Sequence, residues 1–181
     1  MPERPRLDVA VLMRREKLDN RWQPWRWSVA EVVPAQPAFG DAPRLLLQDE
    51  AGARWLHPGF AVELFPDDTE GYYLNASTPQ PSWFVLWRMD EPQPGGEEPL
   101  ARPVAVSLSY HDAGRWLDAQ ESVDAVPVPP EVADWLREYV ALNWQPEPRR
   151  RQRPESFRPL QDRFGNPASV STQKKQRGGG G

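Results

Sequence analysis

Residues 104–140 read VAVSLSYHDAGRWLDAQESVDAVPVPPEVADWLREYV, and this stretch decides the fold class because its hydrophobic period changes three times. Val104, Val106 and Leu108 alternate with small or polar residues, which predicts a strand. Ser109 can then cap a helix, with Asp112 in the capping-box position. Residues 123–128 predict a further strand. The prolines at 129–130 begin an amphipathic helix, in which apolar residues recur every three or four positions.

The residues before this stretch carry the two-residue period of strands. Alternation predicts strands at residues 7–11, at 25–30 with an end near Pro34, and at 60–64, 72–76 and 83–88. It also predicts a hairpin with a connection of 4–5 residues between 45–47 and 54–56. The segment 83–88 is apolar on both faces, as in a central strand. We therefore predict an α+β domain: a twisted antiparallel sheet or partly open barrel of six to eight short strands, followed by two C-terminal helices.

The last part of the chain has a different composition. Residues 145–181 are rich in Pro, Arg, Gln, Ser and Gly and hold nine Lys/Arg against three Asp/Glu, whereas residues 1–144 hold 13 and 23. Such a segment buries too little apolar surface to offset its ordering entropy. We predict one domain over 1–144 and a basic disordered tail over 145–181. The basic cluster of the tail consists of Arg149, Arg150, Arg151 and Arg153.

Several chemistries lack their usual residues. The chain has no cysteine, which removes disulfides and thiolate metal sites. No glycine precedes Gly40, so a glycine-rich phosphate loop cannot follow the first strand. His57 and His111 lie far apart in sequence and predict no metal site. We therefore expect no catalytic residue, metal or cofactor. No apolar run is long enough to span a membrane and no signal peptide is evident, so we expect a cytoplasmic protein.

Three segments resemble an uncharacterised bacterial family known as a domain of unknown function. The first is Arg14-Arg15-Glu16-Lys17-Leu18-Asp19-Asn20-Arg21-Trp22 with the following Trp25-Arg26-Trp27, which is similar to a family opening of R-R-K-L-D-N-P-W and then W-R-P. Residues 71–75, GYYLN, resemble a central Y-x-x-N element. The third is VPVPP at 126–130 with the Trp135 helix and the arginine run after Glu147-Pro148.

The resemblance implies a biological setting. Family members of this kind are encoded in proteobacteria beside genes for formate dehydrogenase and molybdoenzyme maturation, and some are labelled molybdenum cofactor guanylyltransferases. The sequence argues against that label, because Met13 to Glu16 stand where a guanylyltransferase needs its glycine-rich loop. The resemblance implies instead an accessory or assembly factor that binds a subunit of a molybdenum- or tungsten-dependent formate dehydrogenase, or a maturation factor.

We predict that the partner-binding residues lie in the first motif, because charged residues flanked by tryptophans are typical of interface hot spots. They are Arg14, Arg15, Lys17, Asp19, Asn20, Trp22 and Trp25. The charged stretch 14–20 predicts a turn. As an alternative to partner binding, Asp19-Asn20 only makes a turn and the tryptophans belong to the core. Two further functions stay open: a small enzyme or carrier whose Arg14, Arg15 and Arg26 clamp an anionic pterin, and nucleic-acid binding through the tail, which the acidic body disfavours.

Overall fold

The computed structural model describes residues 4–144 and contains two antiparallel sheets and three α-helices. In chain order the elements are β1 (Arg6–Lys17), β2 (Trp25–Pro34), β3 (Arg44–Asp49), β4 (Gly52–Glu63), α1 (Thr69–Ala76), β5 (Ser82–Met89), β6 (Ala101–Ser107), α2 (Tyr110–Asp118), β7 (Ser122–Pro127) and α3 (Pro130–Asn143). The predicted tail at 145–181 lies outside the described residues, and its disorder stays a prediction.

The first sheet has the strand order β2-β1-β4-β3, and the second has the order β6-β5-β7. Every pairing is antiparallel. The α+β class and the strand number are thus confirmed, since residues 4–144 hold seven strands. They form two separate sheets there, and no barrel closes. The prediction that 83–88 is a central strand is also confirmed, because β5 pairs on both sides and is buried on both of its faces.

One continuous apolar core joins the two sheets to the helices. β1 contributes Val9, Val11 and Met13, and β5 contributes Trp83 and Val85, all of them nearly or fully buried. Burying a side chain of this size stabilises the fold by about 1.5–3 kcal/mol. The alternation of apolar residues in the sequence therefore arises because every second side chain of a strand faces this core.

The two predicted C-terminal helices are confirmed as α2 and α3. The hydroxyl of Ser109 accepts hydrogen bonds from the backbone N–H groups of His111 and Asp112, so Ser109 caps α2 as predicted. The Asp112 carboxylate instead accepts a bond from the Ser107 hydroxyl, whose oxygen accepts the Ser109 N–H. Ser107 thus relays the bond that a capping box would make directly.

The prediction of a strand over 72–76 was wrong, because these residues belong to α1. Tyr72 and Ala76 are four residues apart, and this spacing brings two side chains to one face of a strand or of a helix alike. Tyr72 packs edge-on against Tyr139 of α3, with ring centroids 5.9 Å apart. The Thr69 hydroxyl also donates to the Pro66 carbonyl oxygen, which orders the start of the helix. Tertiary packing against α3 therefore decides in favour of the helix.

Two other predictions of local structure need correction. The stretch 14–20 is not all turn, since β1 continues to Lys17 and pairs with both β2 and β4 over its last residues. The predicted strands at 54–56 and 60–64 form one continuous strand, β4, and only Glu50 and Ala51 connect it to β3. The turn is this tight because Asp49 Oδ1 accepts the N–H groups of Ala51 and Gly52.

Candidate functional site

The β1–β2 hairpin carries an exposed loop over residues 18–24. The backbone N–H of Leu18 donates to the Pro24 carbonyl and closes the loop. Asn20 Oδ1 accepts the backbone N–H of Trp22 at 2.9 Å, an Asx turn of the kind expected for this residue type. The turn leaves Trp22 89% exposed, so Trp22 is a surface residue and not part of the core.

Strand pairing places one arginine and three tryptophans on the same side of the first sheet. Trp27 lies directly opposite Arg15, and Trp25 lies opposite Lys17. Trp55 of β4 lies opposite Met13, the residue two before Arg15. Residues that face each other across antiparallel strands share a side of the sheet. The strand register therefore brings together Arg15, Trp25, Trp27 and Trp55. They lie on the core-facing side of the sheet, near one end of β1.

The guanidinium of Arg15 is enclosed by these rings. It lies 4.2 Å from the ring centroid of Trp25, 5.2 Å from that of Trp55 and 5.7 Å from that of Trp27. Only 12% of the Arg15 side chain is exposed. A cation over tryptophan rings is attracted by their negative faces, by up to about 2 kcal/mol when water is excluded. The tryptophans thus replace part of the hydration that Arg15 loses on burial.

An open cleft of about 500 Å³ lies beside this cluster and extends toward the second sheet. Its walls are mostly apolar, with polar groups at a few positions. The lining residues are Arg15, Gln23, Pro24, Trp25, Arg26, Trp27, Trp87, Met89, Glu98 and Pro99. This volume falls within the range of small-molecule and peptide-side-chain pockets. We refer to it as the arginine–tryptophan cleft.

Hydrogen-bond donors in the cleft are incompletely satisfied. Within residues 4–144, the buried Nε of Arg15 and the buried Nε1 of Trp87 have no acceptor. Among residues 4–144, the carboxylate nearest to Arg15 is that of Glu98, with Oε2 3.8 Å from Nη1, and the Glu98 side chain is 67% exposed. Such a distance is too long for a hydrogen bond. Arg15 therefore brings to the cleft wall a cation without a close counter-ion among residues 4–144, and a complementary group would be an anion.

The predicted partner-binding residues divide into four groups. Arg15 and Trp25 line the cleft, and Asp19, Asn20 and Trp22 lie in the adjoining exposed loop. Lys17 is exposed at the end of β1. Arg14 lies on the opposite face of β1, as alternation requires, with its Nε 2.7 Å from Glu16 Oε1.

Consequently, Arg14 and Arg15 do not converge on one ligand from the same face. The predicted turn at Asp19-Asn20 is present, and the alternative that placed all tryptophans in the core fails at Trp22. The basic cluster Arg149, Arg150, Arg151 and Arg153 lies outside the described residues.

The sequence-based prediction missed several residues of the cleft and of the arginine cluster beside it. Trp27, Trp87, Met89 and Glu98 line the cleft, and Trp55 lies against the Arg15 guanidinium. The two-residue spacing from Trp25 to Trp27 indicated a shared face. No local pattern indicated the approach of Trp55 and Trp87, because they come from β4 and β5.

The Y-x-x-N element proves to be structural. The Tyr72 hydroxyl accepts the Phe65 N–H at 2.9 Å, and burial raises the pKa of Tyr72 to about 12. Asn75 is 1% exposed; its Nδ2 donates to the carbonyls of Ser82 and Leu108, and its Oδ1 accepts the Ser82 N–H. Both residues thus tie α1 to neighbouring strands and loops, and neither faces the cleft.

The two histidines occupy separate environments. His57 is buried in β4, and burial lowers its pKa, with a further lowering from Arg102. His111 lies at the start of α2, with its Nδ1 3.1 Å from Asp68 Oδ1. Among residues 4–144 there is no group of three or more His, Cys, Asp or Glu side chains placed to hold a metal ion.

No helix among residues 4–144 is long and apolar enough to cross a membrane.

Comparisons with known proteins bear on the family alone. Neither the curated proteins nor the solved structures contain a significant match to the chain. The model of one family, described as "Protein of unknown function (DUF3305)", matches residues 8–153 and so includes the predicted basic cluster. Because this match covers most of the chain, the protein belongs to the DUF3305 family.

Proposed function

We propose that this domain is a non-catalytic accessory factor that binds a protein partner through Trp22 and the arginine–tryptophan cleft. The observation that carries the proposal is the 89% exposure of Trp22 beside an open cleft walled by further tryptophans. Tryptophan and arginine are the residues most often found at the energetic centre of protein interfaces. Burial of an exposed indole on binding also removes more apolar surface from water than burial of almost any other side chain.

The cleft defines the chemistry of the segment that would enter it. Its walls favour an apolar or aromatic side chain, since Trp25, Trp87 and Met89 line it. The Arg15 cation, whose contact with Glu98 is 3.8 Å long, favours an anion such as a carboxylate. A partner carboxylate would replace the long contact with Glu98 by a charge-assisted hydrogen bond, which is the stronger kind. The proposed ligand is therefore an acidic segment with an adjacent large apolar residue.

The partner that we propose is a subunit of a molybdenum- or tungsten-dependent formate dehydrogenase, or a factor that matures it. This setting is supported by the resemblance in residues 14–27 and 71–75 to proteins encoded beside such genes. An accessory factor needs a docking surface rather than a catalytic centre, and the arginine–tryptophan cleft has the composition of such a surface.

The test is capture of partners from a formate-grown host with the full chain as bait. Two variants address the site: Trp22→Ala removes the exposed ring, and Arg15→Lys keeps the charge but loses the planar group that stacks on the tryptophans. Leu142→Ala is the matched control, because Leu142 is 77% exposed on α3, away from the cleft. Thermal melting of each bait verifies that it is folded.

We expect the wild-type chain and Leu142→Ala to enrich a dehydrogenase subunit or maturation factor, and both site variants to lose at least about tenfold of that enrichment. If no such protein is enriched by the wild type, the proposed partner is wrong. If the enrichment survives both site variants, the proposed surface is wrong.

A further inference from the structure

The strand β3 forms an outer edge of the first sheet and exposes three consecutive leucines. In the order β2-β1-β4-β3 it pairs only with β4 among the described residues. Leu45, Leu46 and Leu47 are 47%, 49% and 56% exposed. All six residues of the strand, Arg44–Asp49, are exposed, although they lie in regular β-structure. Leucine is ordinarily a core residue. Three adjacent exposed leucines therefore form an apolar patch of the kind that marks an interaction surface.

The two edges of this sheet differ in how they are protected. At the β2 edge, the backbone N–H of Val29 donates to Asp124 Oδ2 of β7 at 2.8 Å, so part of that edge is occupied. β2 also carries charged residues along its length. By contrast, the central positions of β3 hold no lysine, proline or acidic residue, the usual devices against edge pairing. The one such device that β3 has is the irregularity marked by the register shift between Leu45 and Leu47.

The charges at the ends of β3 favour a particular occupant. The strand begins with the basic Arg44 and ends with the acidic Asp49, directly before Glu50. When two such strands pair antiparallel, the basic start of each lies beside the acidic end of the other. Asp49 Oδ1 is engaged with the turn N–H groups, which leaves its second oxygen and the whole Glu50 carboxylate for this contact. The sequence RLLLQDE is thus complementary to itself.

We infer that β3 is a self-association surface, on which a second copy of this chain adds its own β3 antiparallel to the first. A two-fold axis perpendicular to the sheet relates the copies, so the middle of each strand meets the middle of the other. Leu46 or Leu47 then lies at the axis opposite its own counterpart. The two sheets join into one of eight strands, and the leucines cover each other. The dimer uses an edge strand that does not line the arginine–tryptophan cleft, so it is independent of the proposed function.

The oligomeric state of the purified full chain is the first measurement. Light scattering coupled to size exclusion, over about 1–200 μM protein, should show a concentration-dependent dimer. Leu46→Lys places two like charges at the axis or one residue from it, which is strongly unfavourable at an interface, and should weaken dimerisation by about tenfold or more. Leu142→Lys adds the same charge on α3 and should leave the dimer unchanged. A chain that stays monomeric over this range, or a dimer that Leu46→Lys does not weaken, would overturn the inference.

Disulfide cross-linking tests the strand register. Because the chain has no cysteine of its own, any disulfide joins two introduced thiols. Single variants Leu46→Cys and Leu47→Cys each place one thiol near the two-fold axis, whereas Leu142→Cys is the control. Under mild oxidation, at least one of the two β3 variants should form a covalent dimer faster than the control. Antiparallel pairing is refuted if both β3 variants cross-link no faster than Leu142→Cys. Cα atoms more than about 7 Å apart cannot be bridged by a disulfide, so a covalent dimer shows that the two introduced thiols lie close together.

Discussion

Substitution of Asn75 by alanine should lower the free energy of unfolding by about 3 kcal/mol, although Asn75 is remote from the cleft. Asn75 is almost completely buried, and it makes three hydrogen bonds of 2.8, 2.9 and 2.9 Å to the backbone of Ser82 and Leu108. Each bond contributes about 1 kcal/mol net, and more where its partner stays buried and unpaired. These bonds join α1 to the start of β5 and to the segment after β6, so their loss loosens three parts of the chain together.

Urea denaturation followed by tryptophan fluorescence measures this loss. With a slope of about 2 kcal/mol per molar urea for a domain of this size, a loss of about 3 kcal/mol moves the midpoint down by about 1.5 M. Asn75→Asp keeps the acceptor oxygen but cannot donate to the two carbonyls while ionised, so it should destabilise the domain at least as much at pH 7. Asn143→Ala is the control, because exposed Asn143 makes one side-chain bond within residues 4–144, to the Tyr139 carbonyl. Its midpoint should move by less than about 0.3 M. A midpoint for Asn75→Ala within about 0.3 M of the wild type would refute this reasoning.

Three further predictions concern packing, pH and the tail. A Cβ at Gly52 would lie 2.0 Å from the Arg15 carbonyl oxygen, so Gly52→Ala should lower the free energy of unfolding by about 2 kcal/mol or more. Gly114→Ala, which has open space around it, should be neutral or stabilising; equal effects in urea denaturation would contradict the close contact. Burial lowers the pKa of His57 from its ordinary value of 6.5, so the folded state binds fewer protons than the unfolded state. Stability should therefore decline as pH falls below about 6.5, and His57→Leu should reduce the difference between urea midpoints at pH 7.5 and 5.5; an unchanged difference would show that other groups cause it. Truncation after Trp144 should leave the melting temperature within about 4 °C of the full chain, while slowing association with an acidic partner at low salt. A larger loss in calorimetry would place stabilising contacts in residues 145–181.

The hydrophobic periods of the sequence were sufficient to predict most elements of the fold. Alternation in residues 7–11, 25–30 and 83–88 correctly predicted strands, because each of these segments has at least one face against the core. The prolines at 129–130 and the spacing from Val132 to Val140 predicted α3. These signals are local: each depends only on which side of its own element is buried. The sequence also determined by itself that no thiol chemistry is available to this chain.

Tertiary structure alone decided three features. The segment 72–76 is helical because Tyr72 packs on α3, which its spacing of four residues to Ala76 could not reveal. Alternation places Arg15 on the side of Met13, but only the register of β1 with β2 and β4 brings Trp27 and Trp55 around its guanidinium. The exposure of the β3 leucines depends likewise on the position of that strand at an edge. Contacts between residues distant in sequence depend on how elements pack, and no local period encodes that packing.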